Sequence, residues 1–531
     1  MYYAHRLIMA GSKAKEYKQF LSQNPDVSGI DLLIADLNGV IRGKRVVSSA
    51  LEKVYNNGVC LTTSLFALDI TGDTVEETGL GIVQGDGDSI CYPVPKTLTT
   101  TPWQKQTMGQ LLLTMVDVNN RPIFANPRHV LNQVFERFKI LKLTPVIAVE
   151  LEFYLLDARR DRKKRPQPPI SKVTGKRENN TQVYAIDDLD DYADFLNGVS
   201  AAAQEQGIPT DTAVAENAPG QFEINLKYES DPLSACDNAI LLKRLIKGVA
   251  HQHGMKATFM AKPYTDLAGN GMHIHTSLLD EKGNNVFSDS VDITGSAILH
   301  HAIGGLTKTM GDSMAIFSPN ANSFRRFQPN IYVAMAPTWG FDNRTVAIRI
   351  PTSSVDTKRL EHRVAGADAN PYLVVAALLS GIHQGITKKI KPPRILSVPF
   401  NFGNTFGEVN NPSYQHEILA ATFGLLERSE GPVLEIFETD IIQRLVLSRT
   451  ESKREADTDK KDLLTELSDL KADYEKGLKA NKGRTAVGLS TIETGLFHRF
   501  DATNILKNNL ASVITTIGLD HLDWLPKNEQ T

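Results

Sequence analysis

Four segments of this chain alternate polar and apolar residues with the period of a β-strand, and each gathers ionisable or hydrogen-bonding side chains on one face. In VELEF, Glu150 and Glu152 point away from Val149, Leu151 and Phe153. In QFEINL, Gln221, Glu223 and Asn225 oppose Phe222, Ile224 and Leu226, and Glu216 lies just before the turn. MHIHTS puts His273, His275 and Ser277 on its polar face, and KRLEHRV puts Arg359, Glu361 and Arg363 there. One such strand alone is compatible with a half-exposed sheet that has a wet face. Adjacent same-face glutamates repel, however, and suit a structural surface poorly. Several such strands with strongly apolar reverse faces therefore predict a sheet whose polar side concentrates five carboxylates and a histidine.

Carboxylates crowd together only when cations neutralise them. Oxygen-rich ligands with one imidazole favour Mg²⁺ or Mn²⁺ over zinc, which prefers Cys and His. Six candidate ligands exceed what one Mg²⁺ takes from protein, so two ions sharing the site fit better. The stretch from Asn322 to Pro351 adds Arg325, Arg326, Arg344 and Arg349, the last flanked by Ile348 and Ile350 and so turned to the polar side. Arginine forks match phosphate and carboxylate oxygens. Metals plus arginines imply an anionic substrate, such as a nucleoside triphosphate together with a carboxylate. Neither GxxxxGK[ST] nor GxGxxG occurs, so metals, arginines and an aromatic face must hold any nucleotide.

At 531 residues the chain predicts about two to four domains. Its net charge of -3 argues against a general nucleic-acid binder, and its three cysteines exclude a disulfide framework. The longest apolar run, near 371–382, falls short of the ~20 residues that span a bilayer. With no secretory core at the start, a cytoplasmic protein with neither nucleic-acid nor membrane partners is expected. A helical lead occupies 1–28, followed by a small, mainly β domain over 29–122. Asn126 and Pro127 open a helix near the next boundary, where a larger domain of alternating strands and helices begins and runs over 123–455. Two further features stand apart: a basic, Pro-rich loop at 158–172, expected to be a solvated insertion, and an atypical tail over 456–531. That tail shares a charged stretch at 451–484 with helical Leu spacing, and an apolar patch at 504–525.

The motifs DLNGVIRGK, VELEF, APGQFEI, ATFMAKP, GNGMHIHTS, NRTVAIRIP and RLEHR, in this order over roughly 30–450, resemble the glutamine synthetase family. The resemblance implies an α+β fold, with an N-terminal β-grasp domain and a catalytic domain built on a curved antiparallel sheet. It also implies a ring-shaped homo-oligomer with active sites between subunits. By the same resemblance Glu152, Glu216 and Glu223 would bind one metal, and Glu150, His273 and Glu361 the second. Arg344 and Arg359 would meet the phosphates of ATP, with His275 and Ser277 nearby and Tyr228 stacking on adenine. Arg326, Arg363 and Gly269 would hold glutamate, Arg326 serving catalysis as well, and Arg349 would stabilise phosphoryl transfer. The implied reaction forms γ-glutamyl phosphate, which an amine then attacks.

Relatives that use ammonia carry a flap glutamate where this chain has Tyr332. An aromatic there is similar to the branch that joins glutamate to organic amines, typified by γ-glutamylputrescine synthetase. Asp69 would take the incoming amine's proton, or else be an ordinary turn-flanking aspartate. A glutamine synthetase that uses ammonia is the alternative enzyme. A non-catalytic relative is the alternative of another class, against which all six ligand positions stand.

Overall fold

The computed structural model describes residues 15–177, 183–290, 294–328, 332–398, 406, 411–428 and 434–437. The stretches singled out at 451–484 and 504–525, and the whole of the 456–531 tail, lie outside the described residues. A helix over 15–23 forms the described part of the lead.

The first sheet begins with a hairpin, β1 (Gly29–Ala35) and β2 (Ile41–Val47), antiparallel and joined across the Asn38-Gly39 turn. Gly39 has φ +71 and a Cβ there would meet the backbone of Asn370 at 3.3 Å, so both turn geometry and packing call for glycine. After α1 (Leu51–Asn57) come β3 (Val59–Thr62), β4 (Asp88–Pro93), β5 (Thr99–Thr100) and β6 (Met108–Val116). The strand order is β2-β1-β6-β4-β3, with β5 beside β6; β1 runs parallel to β6 and the other pairs are antiparallel. Ile30, Leu32 and Ile34 of β1 pack with Leu111, Leu113 and Met115 of β6 and with Leu51 and Val54 of α1 in one apolar core.

The helix expected at Asn126-Pro127 is α2 (Pro127–Ile140); Asn126 caps it by accepting from the Arg128 N–H. The second sheet follows: β7 (Thr144–Asp157), β8 (Thr210–Ala215), β9 (Gln221–Leu226), β10 (Met255–Thr258), β11 (Met272–Leu279), β12 (Trp339–Phe341), β13 (Ile348–Ile350) and β14 (Leu360–His362). Its order is β12-β13-β14-β11-β7-β9-β8, with β10 pairing the far end of β7. The sheet differs from the expected antiparallel one at its edge, where β12 runs parallel to β13. The chain reverses after β12 at Asp342, which has φ +44, and the return brings the Ile348 N–H to the Thr338 carbonyl.

Phe153, fully buried on the apolar face of β7, sits among Phe195, Phe222 and Phe259 at 5.6–6.3 Å between ring centres. Helices α3 (Ala193–Gln206), α4 (Pro232–Gln252), α5 (Ala297–Thr309) and α6 (Pro371–Lys388) complete this region, α4 against β7 and β10 and α6 against α5 and α2. The apolar run near 371–382 is thus a buried helix, and no helix among the described residues is long and apolar enough to cross a membrane.

Residues up to Pro392 form one compact unit, and the described residues from Pro393 belong to a second. The second contains the parallel pair β15 (Ile395–Ser397) and β16 (Leu434–Ile436), and helix α7 (Pro412–Gly424) with Ile418 buried.

Candidate active site

The register of the second sheet brings the polar faces together. β7 lies between β9 and β11, which sets Glu150 opposite both Asn225 and His273, and Glu152 opposite Glu223. β14 adds Glu361 opposite His275, and β13 adds Arg349 opposite Glu361. Each side chain reaches the site because its neighbours in sequence are apolar and face the core: Val149, Leu151, Ile274, Ile348 and Leu360 are all fully buried.

Two groups of ligand atoms result, each within 4.8 Å of one another: Glu150, His273 and Glu361, and Glu152, Glu223 and His273. The first is the expected second-metal set. The second contains Glu152 and Glu223 of the other set that the resemblance implies, together with His273. Glu216 directly follows β8 and leads into the 217–220 turn, where its carboxylate accepts from the Asn217 amide at 3.2 Å, and it interacts with Glu152 and Glu223 through charge.

Burial and the neighbouring carboxylates Glu150, Glu152 and Glu216 push Glu223 up to about 10. Burial and Glu152 push Glu216 up to about 7, against a smaller opposing pull from Arg344. Burial would raise Glu150 too, but its bonds to His273 and His275 outweigh it and hold the carboxyl well below its ordinary value. Glu361 is 1% exposed and is likewise held down, because Arg363, His273 and His275 overcome the burial. Carboxylates driven this far towards protonation suit a divalent cation as the alternative neutralising partner, so the donor set fits a metal centre.

Glu361 is the hub of the cationic side: Arg349 donates to Oε2 at 2.9 Å and Arg363 donates to Oε1. Arg349 also donates to Asp342 at 2.6 Å, a partner that sequence reasoning missed because Asp342 stands in a turn with no periodicity to mark it. His275 bonds Glu150 at 2.8 Å, and Arg359 donates to His275. Arg326 is 2% exposed and donates to the Val364 carbonyl at 3.0 Å. Gly269 packs on it so tightly that a Cβ would lie 2.6 Å from the Arg326 Cγ. Among the described residues the Nε atoms of Arg326, Arg349 and Arg363 are buried without a hydrogen-bond partner, leaving donors within the site. Asp368, also missed, accepts from Ser323 and Asn320 and so fixes the short helical turn before Arg326.

Other expected residues lie outside the two ligand groups, Arg344 near enough to Glu216 to act on it through charge. Ser277 shares the β11 polar face, half-buried, one pair of residues beyond His275. Arg344 is exposed, Tyr228 is 66% exposed and Tyr332 61% exposed. Asp69 lies in the first sheet's β3–β4 connection, where its Oδ1 accepts from the backbone of Thr71, Gly72 and Asp73 and from the Thr71 hydroxyl. Those bonds, led by Thr71, hold its carboxyl below the ordinary value.

A sequence profile described as the glutamine synthetase catalytic domain matches residues 124–422, which include both ligand groups. The chain belongs to the glutamine synthetase family. The family's enzymes use ATP and divalent metals, and the donor set above fits a divalent metal. Among similar proteins, gamma-glutamylputrescine synthetase PuuA of Escherichia coli (strain K12) is 47% identical over 376 residues, covering 71% of this chain and 79% of that protein. Glutamate–isopropylamine ligase of a Pseudomonas species is 35% identical over 380 residues, covering 69% and 80%. The solved structure of GmaS without ligand has a TM-score of 0.60 and 28% identity, covering 70% of this chain and 81% of that one.

Proposed function

We propose that this glutamine synthetase relative is an ATP-dependent ligase that joins the γ-carboxylate of glutamate to an organic amine, with putrescine or another polyamine the leading class. The observation that carries the reading is the cluster of Glu150, Glu152, Glu223 and Glu361 around His273, walled by Arg349 and Arg363. Tyr332 in place of a flap carboxylate supports an organic amine over ammonia, as do the activities of the two amine-ligase relatives.

Glu150, His273 and Glu361 would hold one Mg²⁺ or Mn²⁺, and Glu152 and Glu223 the other with Glu216 alongside. Bound there, the ions supply charge neutralisation for the carboxylates and for phosphate oxygens. Arg344 and Arg359 meet the ATP phosphates, with His275 and Ser277 beside them and Tyr228 against the adenine. Gly269, Arg326 and Arg363 position glutamate. Its γ-carboxylate oxygen attacks the γ-phosphorus, the bond to the bridging oxygen breaks and ADP leaves, while Arg349 stabilises the transferring charge. The amine nitrogen then attacks the acyl carbon, phosphate departs, and the nitrogen's proton passes to a base, for which Asp69 retains Oδ2.

The parallel β1–β6 core supports a β-grasp domain over 29–122 preceding a catalytic domain over 123–455 and the 456–531 tail. The exposed position of Tyr228, and that of Asp69, half-buried in the first sheet, support completion of each site by a neighbouring subunit in a ring-shaped cytoplasmic oligomer. Phosphate release from ATP with glutamate, Mg²⁺ and a panel of ammonia, putrescine, spermidine, monoamines and ethanolamine tests the reading. Turnover with an organic amine far below the working ammonia concentration is expected. Best turnover with ammonia would instead make the enzyme a glutamine synthetase, and silence across the panel without binding of Mn²⁺ or ATP would overturn catalysis altogether.

A further inference from the structure

The basic loop takes no part in the chemistry above, yet it is not a loose insertion. Asp161 closes a turn on the backbone of Lys163 and Arg165 and pairs with the Arg165 side chain, Ile170 bridges Arg177, and the Tyr192 hydroxyl reaches the Pro169 carbonyl. So tethered, the loop walls a cleft of about 520 Å³ with the start of α3 and the turn between α4 and β10. That volume suits a small molecule.

The cleft is charge-balanced. Arg159, Arg160, Lys172 and Arg177 line it, against Asp157, Asp190, Asp191 and Asp194. Arg177 spends Nη2 on Asp157, but its Nη1 is buried with no partner among the described residues. Arg160 donates to the Lys164 carbonyl. Left over are one set of cationic donors (Arg159, Lys172 and the Arg177 Nη1) and one set of carboxylates (Asp190, Asp191 and Asp194). Lys172 and Asp194 act from opposite signs on the ring of His253, also in the wall, so the two sets face a common space. Ile170, Val173 and Phe195 supply apolar wall.

A polyanion would meet the carboxylates of Asp190, Asp191 and Asp194 there, and a polycation the donors of Arg159, Lys172 and Arg177. From this geometry we propose a second binding site, for a small zwitterion that carries both a carboxylate and an ammonium on an apolar stem. The cleft is wired to the metal cluster. Pro169 and Pro168 close on Gly220 so tightly that a Cβ there would lie 3.2 and 3.7 Å from them, and Gly220 ends the turn that starts at Glu216. The ring of Tyr192 packs edge-on against Phe222, the neighbour of Glu223, at 5.3 Å. Occupancy of the cleft therefore alters turnover.

Calorimetry on the full-length chain, with EDTA and no nucleotide, tests the site with L-leucine, L-methionine and L-phenylalanine. Leucinamide lacks the carboxylate and 4-methylpentanoate the ammonium. At least one amino acid should bind saturably. Binding should weaken at least about tenfold for either analogue, and similarly in Asp194→Asn and Lys172→Met, since each removes a charge-assisted contact. Both substituted residues are exposed, so the variants keep their fold and their activity without ligand. Absence of saturable binding overturns the site. So does binding that survives both cleft variants and disappears in Arg363→Met, which would put the amino acid in the glutamate pocket. Turnover unchanged at saturating ligand would overturn the coupling.

Discussion

Arg359 donates from Nε to the Nδ1 of His275 at 3.3 Å, and this decides which ring nitrogen of His275 carries a proton. A guanidinium cannot accept, so Nδ1 must, which leaves Nε2 to donate to Glu150 at 2.8 Å. A proposed phosphate-contacting arginine is thereby linked through one imidazole to a proposed metal ligand. Arg359→Leu should raise the KM for ATP at least about tenfold, from the lost charged contact, and lower kcat as His275 loses its orientation. Steady-state kinetics with ATP varied checks this; an unchanged KM would remove Arg359 from the nucleotide site.

Glu152→Gln should abolish turnover with every amine, because it takes charge from a ligand group used by both half-reactions. Rates below about one-hundredth of the parent are expected for both putrescine and ammonia. Retention of parental phosphate release would refute the assignment of Glu152 to a metal.

Metal-free protein should lose stability as pH rises. Burial and Glu152 hold Glu216 at about 7 when folded, against an ordinary value of 4.5, so the folded chain holds its proton longer than the unfolded chain. Its contribution is fully present below about 4.5 and is lost on passing through 7, on the order of 3 kcal/mol in total. Mg²⁺ replaces the proton, so its binding should tighten over the same window. Thermal melts from pH 5 to 8, with EDTA and with Mg²⁺, check both halves; parallel curves would contradict the linkage.

Tyr332→Glu should move selectivity towards ammonia, because a carboxylate at that position favours a small cation. Competition between ammonia and putrescine in one assay reads the ratio directly. An unchanged ratio would remove Tyr332 from the amine site.

Asn370 ties the two sheets together: its Nδ2 donates to the buried Asp36 carbonyl at 2.7 Å, and its Oδ1 caps α6. Asn370→Asp keeps the cap but not that donor and should cost about 1–3 kcal/mol, and Asn370→Ala should cost more because the cap goes as well. Urea unfolding of the two variants checks the order.

The sequence by itself determined the two-residue rhythm of β7, β9, β11 and β14, and with it which side of each strand holds the carboxylates and His273. That rhythm is local physics, because an apolar reverse face can satisfy itself only in a core. It also marked the Asn38-Gly39 hairpin and the Asn126 cap, each written in adjacent residues. The order of the strands was decided only by the tertiary structure, since pairing across hundreds of residues leaves no local trace. Register then put Glu152 beside Glu223 and put His273 within reach of both ligand groups. The parallel β12–β13 edge, the hold of Asp342 on Arg349 and that of Asp368 on the turn before Arg326 were equally illegible. Single acidic residues in turns carry no periodicity, and their partners become theirs only once the chain has folded.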